Sequence, residues 1–475
     1  MADNATQLAV IGAGPGGYTA AFMAADMGMA VTLIDPAENP GGVCLYHGCI
    51  PSKALLHVAG LINETTEAEA WGVTFGKPKI DVQRLRQWKS DVVGNLTGGL
   101  GRLVGQRKID YVRATAAFSD PRTLTLKDAD GKTRTLAFEH AILASGSRAV
   151  DLPLFPADAD RIWNSRNALE LESVPKTLLV VGGGYIGLEL GSVYAALGSE
   201  VTVVEMLPQL LTGADRDLVR FLLKPLKQRF KEILLNTMVD TVNVQKNGVK
   251  VTFEGGDDTP AGRLFQRVLV ATGRRPHTKG LGLENAGITV EESGFVKIDE
   301  KCRTTASSVF AIGDVAGQPM LAHKASYEAR IAVETIAGRD VVADAAGIPA
   351  VVFTDPEVAW VGLTETMAKE TGRKVEVVRF PWAASGRAVT LGRTDGITKL
   401  LIDPESERLL GAGIVGPGAG ELIAEATLAL EMGANATDLA LTVHPHPTLS
   451  ETLKEAADSF HGLATHYFRP VRKKK

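Results

Sequence analysis

A G-x-G-x-x-G pattern occurs twice in this chain, each time between an apolar run that predicts a buried strand and a run that predicts a helix. The glycines are Gly12, Gly14 and Gly17 in the first copy and Gly182, Gly184 and Gly187 in the second. A second predicted strand ends at an acid in both copies, and Asp35 and Glu205 each lie 23 positions after the first glycine. This order lets the backbone approach a pyrophosphate and lets the acid accept hydrogen bonds from ribose hydroxyls. The repeat therefore predicts an α/β protein with two Rossmann-like dinucleotide-binding domains rather than two glycine-rich turns without a ligand.

A shorter repeat lies late in each half. Residues 142–146 read Ile-Leu-Ala-Ser-Gly, and residues 269–273 read Leu-Val-Ala-Thr-Gly, which ends at Gly273. Each predicts a buried strand and a small-residue turn where the chain crosses to the next domain.

The acids also bear on cofactor choice, because a carboxylate repels the 2′-phosphate of NADP. Glu205 therefore favours NAD at the second site, while Asp35 fits the adenosine ribose of FAD or NAD.

Composition excludes several classes of protein. Hydrophobic residues make up 45% and charged residues 22% of the chain, and the formal net charge is -4, so neither a disordered chain nor a nucleic-acid partner is expected. The uncharged run 8–25 resembles a transmembrane helix or a signal peptide, but glycines and a proline interrupt it and no Lys or Arg precedes it. We therefore expect a cytoplasmic protein that does not enter a membrane.

The three cysteines point to redox chemistry. Cys44 and Cys49 lie five positions apart, shortly after the first acid. A secreted disulfide scaffold needs more cysteines, and three without a matching His cluster make a poor zinc site, so no metal is expected. Cys49 precedes a predicted helix over 51–58, whose N-terminus favours a thiolate, as does nearby Lys53. The pair predicts a working dithiol, with two buried thiols as the alternative.

A family resemblance starts from this segment. Residues 41–53 read Gly-Gly-Val-Cys-Leu-Tyr-His-Gly-Cys-Ile-Pro-Ser-Lys, which resembles the active-site signature of the class I pyridine nucleotide–disulfide oxidoreductases. Over essentially its whole length the chain is most similar to the bacterial dihydrolipoyl dehydrogenase branch, and residues 380–388, Phe-Pro-Trp-Ala-Ala-Ser-Gly-Arg-Ala, favour that branch in particular. Residues 311–315, Ala-Ile-Gly-Asp-Val, resemble the second FAD motif of the family.

Residues 444–451 resemble the catalytic-base motif of the same family. His446 and Glu451 lie five positions apart past a proline turn, so the carboxylate can orient the imidazole and raise its basicity. A surface His-Pro loop is the alternative, and His444 is interpreted as structural. The resemblance implies that His446 reaches the dithiol of a second subunit, so the active unit is expected to be a homodimer.

The resemblance also implies the reaction and its cofactors. FAD and NAD would be bound, and the substrate would be dihydrolipoamide on the lipoyl-bearing acyltransferase of a 2-oxo acid dehydrogenase complex. Cys44 would exchange with substrate thiols and Cys49 would face the flavin. Lys53 would pair with Glu189 near the flavin, a packing salt bridge being the plain alternative. Further cofactor contacts are implied at Ala116, Val239, Gly273, Gly313, Asp314 and Ala322.

Four domains follow from the resemblance. They are an FAD-binding domain at 1–148, an NAD-binding domain at 149–274, a central domain at 275–347 that completes the FAD site, and an α+β dimerisation domain at 348–475.

Other enzymes of similar architecture remain as alternatives. Glu205 argues against an NADPH-dependent glutathione reductase, and no cysteine follows Cys302 to supply the extra redox pair of mercuric or thioredoxin reductases. A soluble transhydrogenase would lack the cysteine pair, and a non-catalytic scaffold would have lost it or His446. The residues do not distinguish between 2-oxo acid complexes, and the glycine cleavage system stays open as a second user. Tyr46 and His47 depart from the usual loop between the cysteines, and His47 either tunes the thiolates or is solvated.

Overall fold

The computed structural model describes residues 5–156, 159–256 and 259–468. The elements of its first part, in chain order, are β1 (Ala5–Ile11), α1 (Pro15–Asp26), β2 (Val31–Ile34), α2 (Gly42–His47), α3 (Cys49–Glu67), a 3-10 turn (Ala68–Trp71), α4 (Val82–Gln106), β3 (Asp110–Val112), β4 (Thr115–Asp120), β5 (Thr123–Lys127) and β6 (Thr133–Leu143). These strands form a sheet with the order β3-β2-β1-β6-β5-β4. β1 pairs in parallel with β2 and β6, and its successive side chains enter two different cores, which is why it reads as a continuous apolar run.

The second part repeats this arrangement. Its elements are β7 (Ser147–Ala149), β8 (Ile162–Trp163), α5 (Ser165–Glu170), β9 (Thr177–Val181), α6 (Tyr185–Ala196), β10 (Glu200–Val204), α7 (Arg216–Arg229), β11 (Glu232–Leu234), β12 (Thr237–Gln245), β13 (Gly248–Gly255), β14 (Arg263–Phe265), β15 (Arg267–Val270) and β16 (Arg274–Pro276). A parallel sheet has the order β11-β10-β9-β15-β8, and β12, β13 and β14 form a separate antiparallel sheet. The unit β9–α6–β10 repeats β1–α1–β2, which confirms the predicted duplication.

The two crossings between these parts run side by side. β7 and β16 directly follow the two small-residue turns of the sequence repeat, and they pair antiparallel, with Arg274 opposite Ala149. After β16 come a 3-10 turn (Leu283–Ala286), β17 (Val309–Ala311), a 3-10 turn (Gly313–Val315) and α8 (Ala322–Ile336). β17 pairs in parallel with the end of β6, so the returning chain completes the first sheet. The numerical domain limits stay a prediction.

The last part is an antiparallel sheet with helices. Its elements are β18 (Ala350–Val352), β19 (Glu357–Gly362), α9 (Glu365–Glu370), β20 (Glu376–Pro381), a 3-10 turn (Trp382–Ala384), α10 (Gly386–Thr390), β21 (Ile397–Ile402), β22 (Leu409–Gly416), α11 (Ala419–Glu431), α12 (Ala436–Leu441) and α13 (Glu451–His461). The strand order is β18-β19-β22-β21-β20. Trp382 is fully buried, and its indole N–H donates to Thr398 Oγ1 at 3.0 Å.

The uncharged run 8–25 is not a membrane segment. It contributes most of β1, a turn and most of α1, and α1 is only 12 residues long. Across the three described ranges, none of the helices combines the length and the apolar character that a bilayer crossing requires.

Candidate active site

The outer glycines of the first fingerprint are required by close backbone contacts. Gly12 has a φ of +97°, and a Cβ there would lie 2.4 Å from the carbonyl oxygen of Ala144. A Cβ on Gly17 would lie 1.8 Å from the carbonyl oxygen of Gly12. The middle residue is different, because a Cβ on Gly14 would meet its nearest atom, the Cα of Gly42, at 3.9 Å. The space in front of the N-terminus of α1 is therefore open to a ligand.

The second fingerprint has the same geometry. Gly182 has a φ of +109°, and a Cβ there would lie 2.5 Å from the carbonyl oxygen of Ala271. A Cβ on Gly187 would lie 2.2 Å from the carbonyl oxygen of Gly182, whereas a Cβ on Gly184 would meet nothing within 4 Å. Both copies thus pack two glycines tightly and leave the middle one facing open space.

The two acids also occupy equivalent places. Asp35 Oδ2 accepts a hydrogen bond from the N–H of Ala13 at 2.8 Å, and its Oδ1 accepts one from the N–H of Ala37 at 2.9 Å. Glu205 Oε2 accepts from the N–H of Gly183 at 2.7 Å, and its Oε1 accepts from Leu207 at 2.9 Å. Each carboxylate is therefore fixed beside the glycine turn of its own domain.

A cleft runs from the first fingerprint to the cysteines. The predicted residues that line it are Gly12, Gly14, Asp35, Cys44, Cys49, Lys53, Glu189, Gly313, Asp314 and Ala322. An open glycine turn at a helix N-terminus suits a pyrophosphate, and Asp35 suits a ribose. The cleft continues from there to the dithiol, which suits the rest of an FAD molecule, so these residues fit that cofactor.

The cysteines face each other across a break between two helices. α2 ends at His47 and α3 begins at Cys49, two residues before the predicted start, so Cys49 occupies the first position of a 19-residue helix. A Cβ on Gly48, between them, would lie 2.9 Å from the carbonyl oxygen of Val43, so the junction has no room for a side chain. The break brings the Cys44 thiol within hydrogen-bonding distance of Cys49.

The two thiols have opposite acidities. The hydrogen bond donated by Cys44 and the charge of Lys53 lower the pKa of Cys49 to about 7, although burial acts in the other direction. Donating that hydrogen bond, together with burial, raises the pKa of Cys44 well above its usual range. The geometry therefore favours a thiolate at Cys49 and a thiol at Cys44 in the reduced pair.

The pairing of Lys53 with Glu189 is present. Lys53 Nζ donates to Glu189 Oε2 at 2.8 Å, and the Glu189 side chain is only 4% exposed. Glu189 Oε1 accepts from the N–H of Phe353 at 3.0 Å, and Lys53 Nζ lies 4.5 Å from the centre of the Phe353 ring. This contact links α3, α6 and the start of the C-terminal part beside the dithiol.

His47 is not a freely solvated side chain. Its side chain lines the cleft. It forms a hydrogen bond with the guanidinium of Arg166, which lies in α5. Burial and then the charge of Arg166 lower the pKa of His47, which favours the neutral imidazole.

The second FAD motif is held by a buried ion pair that sequence reasoning missed. Gly313 has a φ of +74°, and its N–H donates to Glu328 Oε2 at 2.7 Å. Lys324 Nζ lies 2.8 Å from Glu328 Oε1 and donates to the carbonyl of Gly317 at 3.2 Å. Glu328 lies four positions after Lys324 on α8, a spacing that could have signalled the pair.

Asp314 is linked by hydrogen bonds to β7 and, through β7, to β16, the two strands at which the chain crosses between domains. The Ser147 hydroxyl donates to Asp314 Oδ2, and Arg274 Nε donates to Ser147 Oγ at 2.7 Å. Sequence reasoning missed Ser147 and Arg274, although each directly follows one of the repeated small-residue turns. Gly273, whose φ is +136°, lies in the second of these turns.

Ala116 and Val239 lie outside the cleft lining. Ala116 is buried in β4, within the core of the first sheet. Val239 lies in β12, two residues after Thr237, whose N–H donates to the carbonyl of Glu205 at 3.0 Å. Val239 is thus near the acid of the second fingerprint, whereas the structure adds no support for a cofactor contact at Ala116.

The histidine and the glutamate of the base motif form a pair. His446 Nδ1 lies 2.9 Å from Glu451 Oε1, and the N–H of Thr448 donates to Glu451 Oε2 at 2.8 Å. Burial alone would raise the pKa of Glu451, but the Thr448 N–H and His446 outweigh it and hold that pKa below its usual value. The His446 side chain is 71% exposed and does not line the cleft of its own chain.

His444 has a different environment. Its side chain is only 4% exposed, and its Nε2 lies 2.7 Å from Glu425 Oε1. Its Nδ1 lies 2.9 Å from the carbonyl oxygen of Thr442, so both ring nitrogens have partners within the fold.

Comparisons with known proteins agree with this site. Residues 6–329 match the family model described as pyridine nucleotide-disulphide oxidoreductase, and residues 348–457 match the dimerisation domain of that family. The chain is 46% identical to the dihydrolipoyl dehydrogenase of Vibrio cholerae, over 99% of this chain and 98% of the relative. It is 47% identical to that of Haemophilus influenzae, over 97% and 96% respectively.

Solved structures show the same architecture. LpdA from Mycobacterium tuberculosis superimposes with a TM-score of 0.88 at 27% identity, over 96% of this chain and 99% of that one. The HOCl-induced flavoprotein disulfide reductase RclA from Escherichia coli superimposes with a TM-score of 0.84 at 29% identity, over 95% and 99%. The chain belongs to the pyridine nucleotide-disulphide oxidoreductase family, whose members are flavoproteins that use FAD and NAD(H).

Proposed function

We propose that this protein oxidises protein-bound dihydrolipoyl groups to lipoyl groups, with NAD as the electron acceptor. The observation that carries the proposal is the position of Cys44 and Cys49 at the end of the dinucleotide cleft. A reducible pair there can exchange with a dithiol on one side and with a bound cofactor on the other. The near full-length similarity to relatives that are named dihydrolipoyl dehydrogenase supports this substrate class.

The side chains divide the work. Glu451 accepts the hydrogen bond of His446 Nδ1–H, which leaves Nε2 free to take the proton of the first substrate thiol. The substrate sulfur attacks Cys44 of the oxidised pair, forms a mixed disulfide and releases Cys49 as a thiolate. The second substrate thiol then attacks the first substrate sulfur and gives its proton to the departing Cys44 sulfur, so the substrate leaves as a disulfide and the protein pair, now the Cys44 thiol and the Cys49 thiolate, holds two more electrons. When bound, FAD supplies the chemistry that passes this electron pair from the dithiol to NAD.

His446 acts, in this proposal, on the dithiol of a second copy. The supporting observation is that His446 is largely exposed and absent from the cleft of its own chain. Large apolar side chains near it are also exposed, and Leu441 and Val443 have exposed fractions of 76% and 93%. Such apolar surface is typical of an interface. The match to the family's dimerisation domain supports a homodimer whose copies complete each other's sites.

We further infer the cofactor-binding residues and the partner. The first fingerprint with Asp35, together with Lys53, Gly313, Asp314 and Ala322, is assigned to FAD. The second fingerprint with Glu189, Glu205, Val239 and Gly273 is assigned to NAD or its approach to the flavin. The substrate would come on a lipoyl-bearing acyltransferase of a 2-oxo acid dehydrogenase complex, in the cytoplasm.

An absorbance spectrum and a substrate comparison test the proposal. The purified protein should be yellow, should reduce NAD with dihydrolipoamide, and should show little activity with NADPH and glutathione disulfide. Cys44→Ser and Cys49→Ser should each abolish turnover, because one sulfur cannot form the internal disulfide. Cys302→Ser is the matched control, since Cys302 is buried with 1% exposure beside α8 and plays no part in the proposed reaction. A colourless protein, a preference for NADPH and glutathione disulfide, or full activity of Cys44→Ser would contradict the proposal.

A further inference from the structure

The helix that carries Cys44 is too short to hold its own position. α2 has only six residues, and glycines flank it at Gly41 and Gly48. A helix of this length is unstable by itself, so its place depends on contacts with the rest of the fold. Leu45 supplies one anchor, because its side chain is only 7% exposed. The last two residues of α2 supply two more.

These two anchors point to different domains. Tyr46 Oη donates to the carbonyl oxygen of Asn39 at 3.0 Å, and a Cβ on Gly41 would lie 3.1 Å from the Tyr46 ring. Tyr46 therefore ties α2 to the chain that leads into it. His47 instead forms its hydrogen bond with Arg166 of α5, which belongs to the second part of the fold. The Cys44 helix is thus fastened to both domains.

The contact of His47 requires a neutral imidazole. A guanidinium has only donors, so His47 Nε2 accepts from Arg166 and the ring proton lies on Nδ1. Nδ1 faces Glu170 Oε1 at 4.0 Å, one turn after Arg166 on the same helix. Burial and then Arg166 lower the pKa of His47, with a smaller effect of Lys89 in the same direction and an opposing one of Glu170. This agrees with the neutral form.

α5 is a firm support for this contact. Asn164 caps its N-terminus through a capping box. Lys89 of α4, which is 6% exposed, donates from Nζ to the carbonyl oxygen of Leu169 at 2.7 Å. The fully buried Tyr194 of α6 donates from Oη to the carbonyl oxygen of Ala168 at 2.7 Å. α5 is therefore fixed to its neighbours on both sides, whereas α2 depends on α5.

We propose that His47 is a positioning residue for the dithiol: by accepting the hydrogen bond of Arg166, it fastens α2 to the second domain and keeps the Cys44 thiol beside Cys49 in the reduced pair. The inference rests on the proposed function in taking these two cysteines as the working pair. Without the contact, α2 shifts about Gly48, and the hydrogen bond from Cys44 that stabilises the Cys49 thiolate forms less often. His47 acts through the helix and needs no contact with the reacting sulfurs.

The test is a double-mutant cycle of His47→Leu and Arg166→Met in the full-length protein with bound FAD. The absorbance of the Cys49 thiolate beside the flavin is titrated against pH in the NADH-reduced protein. Each single substitution should raise the midpoint by roughly half a pH unit, because the thiolate loses part of the benefit of a hydrogen bond. The double variant should match the single ones, since all three lack the same contact. His47→Gln, whose amide oxygen can still accept from Arg166, should titrate like the parent.

Arg216→Met is the matched control. Arg216 is an exposed arginine of the second domain that also donates to a neutral acceptor, Gln209 Oε1, at 3.2 Å. Its substitution should leave the midpoint unchanged.

Four outcomes overturn the inference. They are unmoved midpoints, shifts that add in the double variant, an equal shift in Arg216→Met, and a shift in Arg166→Met without one in His47→Leu, which would mean that the arginine acts by its charge alone. A lower melting temperature of His47→Leu with an unmoved midpoint would likewise leave it a merely structural role. A parent protein that shows the thiolate absorbance but does not oxidise dihydrolipoamide refutes the proposed function instead, and the midpoints then still decide on His47.

Discussion

Lys53 Nζ lies 2.8 Å from Glu189 Oε2, and this ion pair joins the helix that begins at Cys49 to the nucleotide helix of the second domain. The two charges act on Cys49 in opposite directions, because the Lys53 cation lowers its pKa and the Glu189 carboxylate raises it. The thiolate is therefore controlled by a contact between two domains as well as by its own helix.

Lys53→Met should move the Cys49 thiolate to higher pH. The substitution removes the Lys53 cation, which lowers the pKa of Cys49, and leaves the Glu189 carboxylate, which raises it. The pKa of Cys49 should therefore rise above about 7. The thiolate–flavin absorbance of the reduced protein should then appear at a higher pH than in the parent. Lys301→Met is the control, because Lys301 pairs with the exposed Asp340, far along the chain from the dithiol. A midpoint that does not move in Lys53→Met would show that this ion pair has no electrostatic effect on the thiol.

Cys44→Ala and Cys44→Ser should differ at Cys49. The hydrogen bond donated by Cys44 is the largest cause of the lowered pKa of Cys49, and a serine hydroxyl can still donate it whereas alanine cannot. A hydrogen bond to a charged group is worth about 1.5–3 kcal/mol, so the Cys49 midpoint should lie roughly one unit or more higher in the alanine variant. The pH titration of thiolate–flavin absorbance measures both, and equal midpoints would contradict the prediction.

Gly182→Ala and Gly184→Ala should separate folding from nucleotide binding. The first adds a Cβ 2.5 Å from the Ala271 carbonyl oxygen at a φ of +109°, so it should destabilise the second domain by about 2 kcal/mol or more. The second adds a Cβ in open space, so it should unfold like the parent but bind NADH more weakly. Thermal unfolding and NADH titration measure the two effects, and a stable Gly182→Ala protein would argue against the packing described.

Glu205→Gln should weaken the preference for NAD. The amide oxygen can accept from the N–H of Gly183 or of Leu207, which Glu205 binds with its two separate oxygens, and the substitution removes the charge that repels a 2′-phosphate. We expect the repulsion between the Glu205 charge and the 2′-phosphate to contribute about 1.4 kcal/mol to the discrimination. This energy corresponds to a factor of ten, so the ratio of kcat/KM for NAD over NADP should fall by about tenfold. Lys231→Met, at an exposed pair with Glu200, serves as the control. An unchanged ratio would place the discrimination elsewhere.

Lys399→Met should destabilise the contact between the second domain and the last one. The Lys399 side chain is 1% exposed, and its Nζ lies 2.7 Å from Asp215, 2.7 Å from Asp217 and 3.0 Å from Glu365. These three carboxylates are close enough together to bind a metal ion, but the ammonium occupies the space between them. Arg379 still pairs with Asp217 and Glu365 in the variant, but the buried Asp215 carboxylate loses its cation, which costs about 3–5 kcal/mol.

The pH dependence of stability gives a second test of the role of Lys399. Against the effect of burial, the hydrogen bonds and charge of Lys399 hold the pKa values of Asp215 and Asp217 below their usual values, so in the parent this contribution is present above the unfolded-state pKa and is lost as the pH falls. In the variant the carboxylates repel each other. The loss in free energy of unfolding relative to the parent should therefore be greatest at neutral pH and should shrink in acid. Denaturant unfolding at several pH values measures it. Lys224→Met, at an exposed pair with Asp395, should change stability by less than about 1 kcal/mol.

Some parts of the site could be predicted because they are local. The strand, glycine turn and helix around Gly12 and Gly182 follow from short-range geometry, and so do the acids at a constant spacing. The start of α3 was predicted two residues late, since the hinge at Gly48 depends on its contact with Val43. Helix limits of this kind are decided by neighbours as well as by propensity.

Contacts between distant segments had no such signal. Ser147 meets Asp314 across 167 positions, and Arg274 meets Ser147 across 127 positions. The pair of Lys53 and Glu189 is 136 positions apart, and only the family resemblance pointed to it. Nothing in the residues indicated that His466 would return to Glu455.

By itself, the sequence determined the two nucleotide folds and the dithiol, because periodicity and glycine spacing act through neighbouring peptide units. Only the tertiary structure decided which charges surround Cys49 and that His446 lies outside its own cleft. Those features depend on where the chain returns after long excursions, and the free energy of that return comes from packing across the whole fold rather than from any single segment.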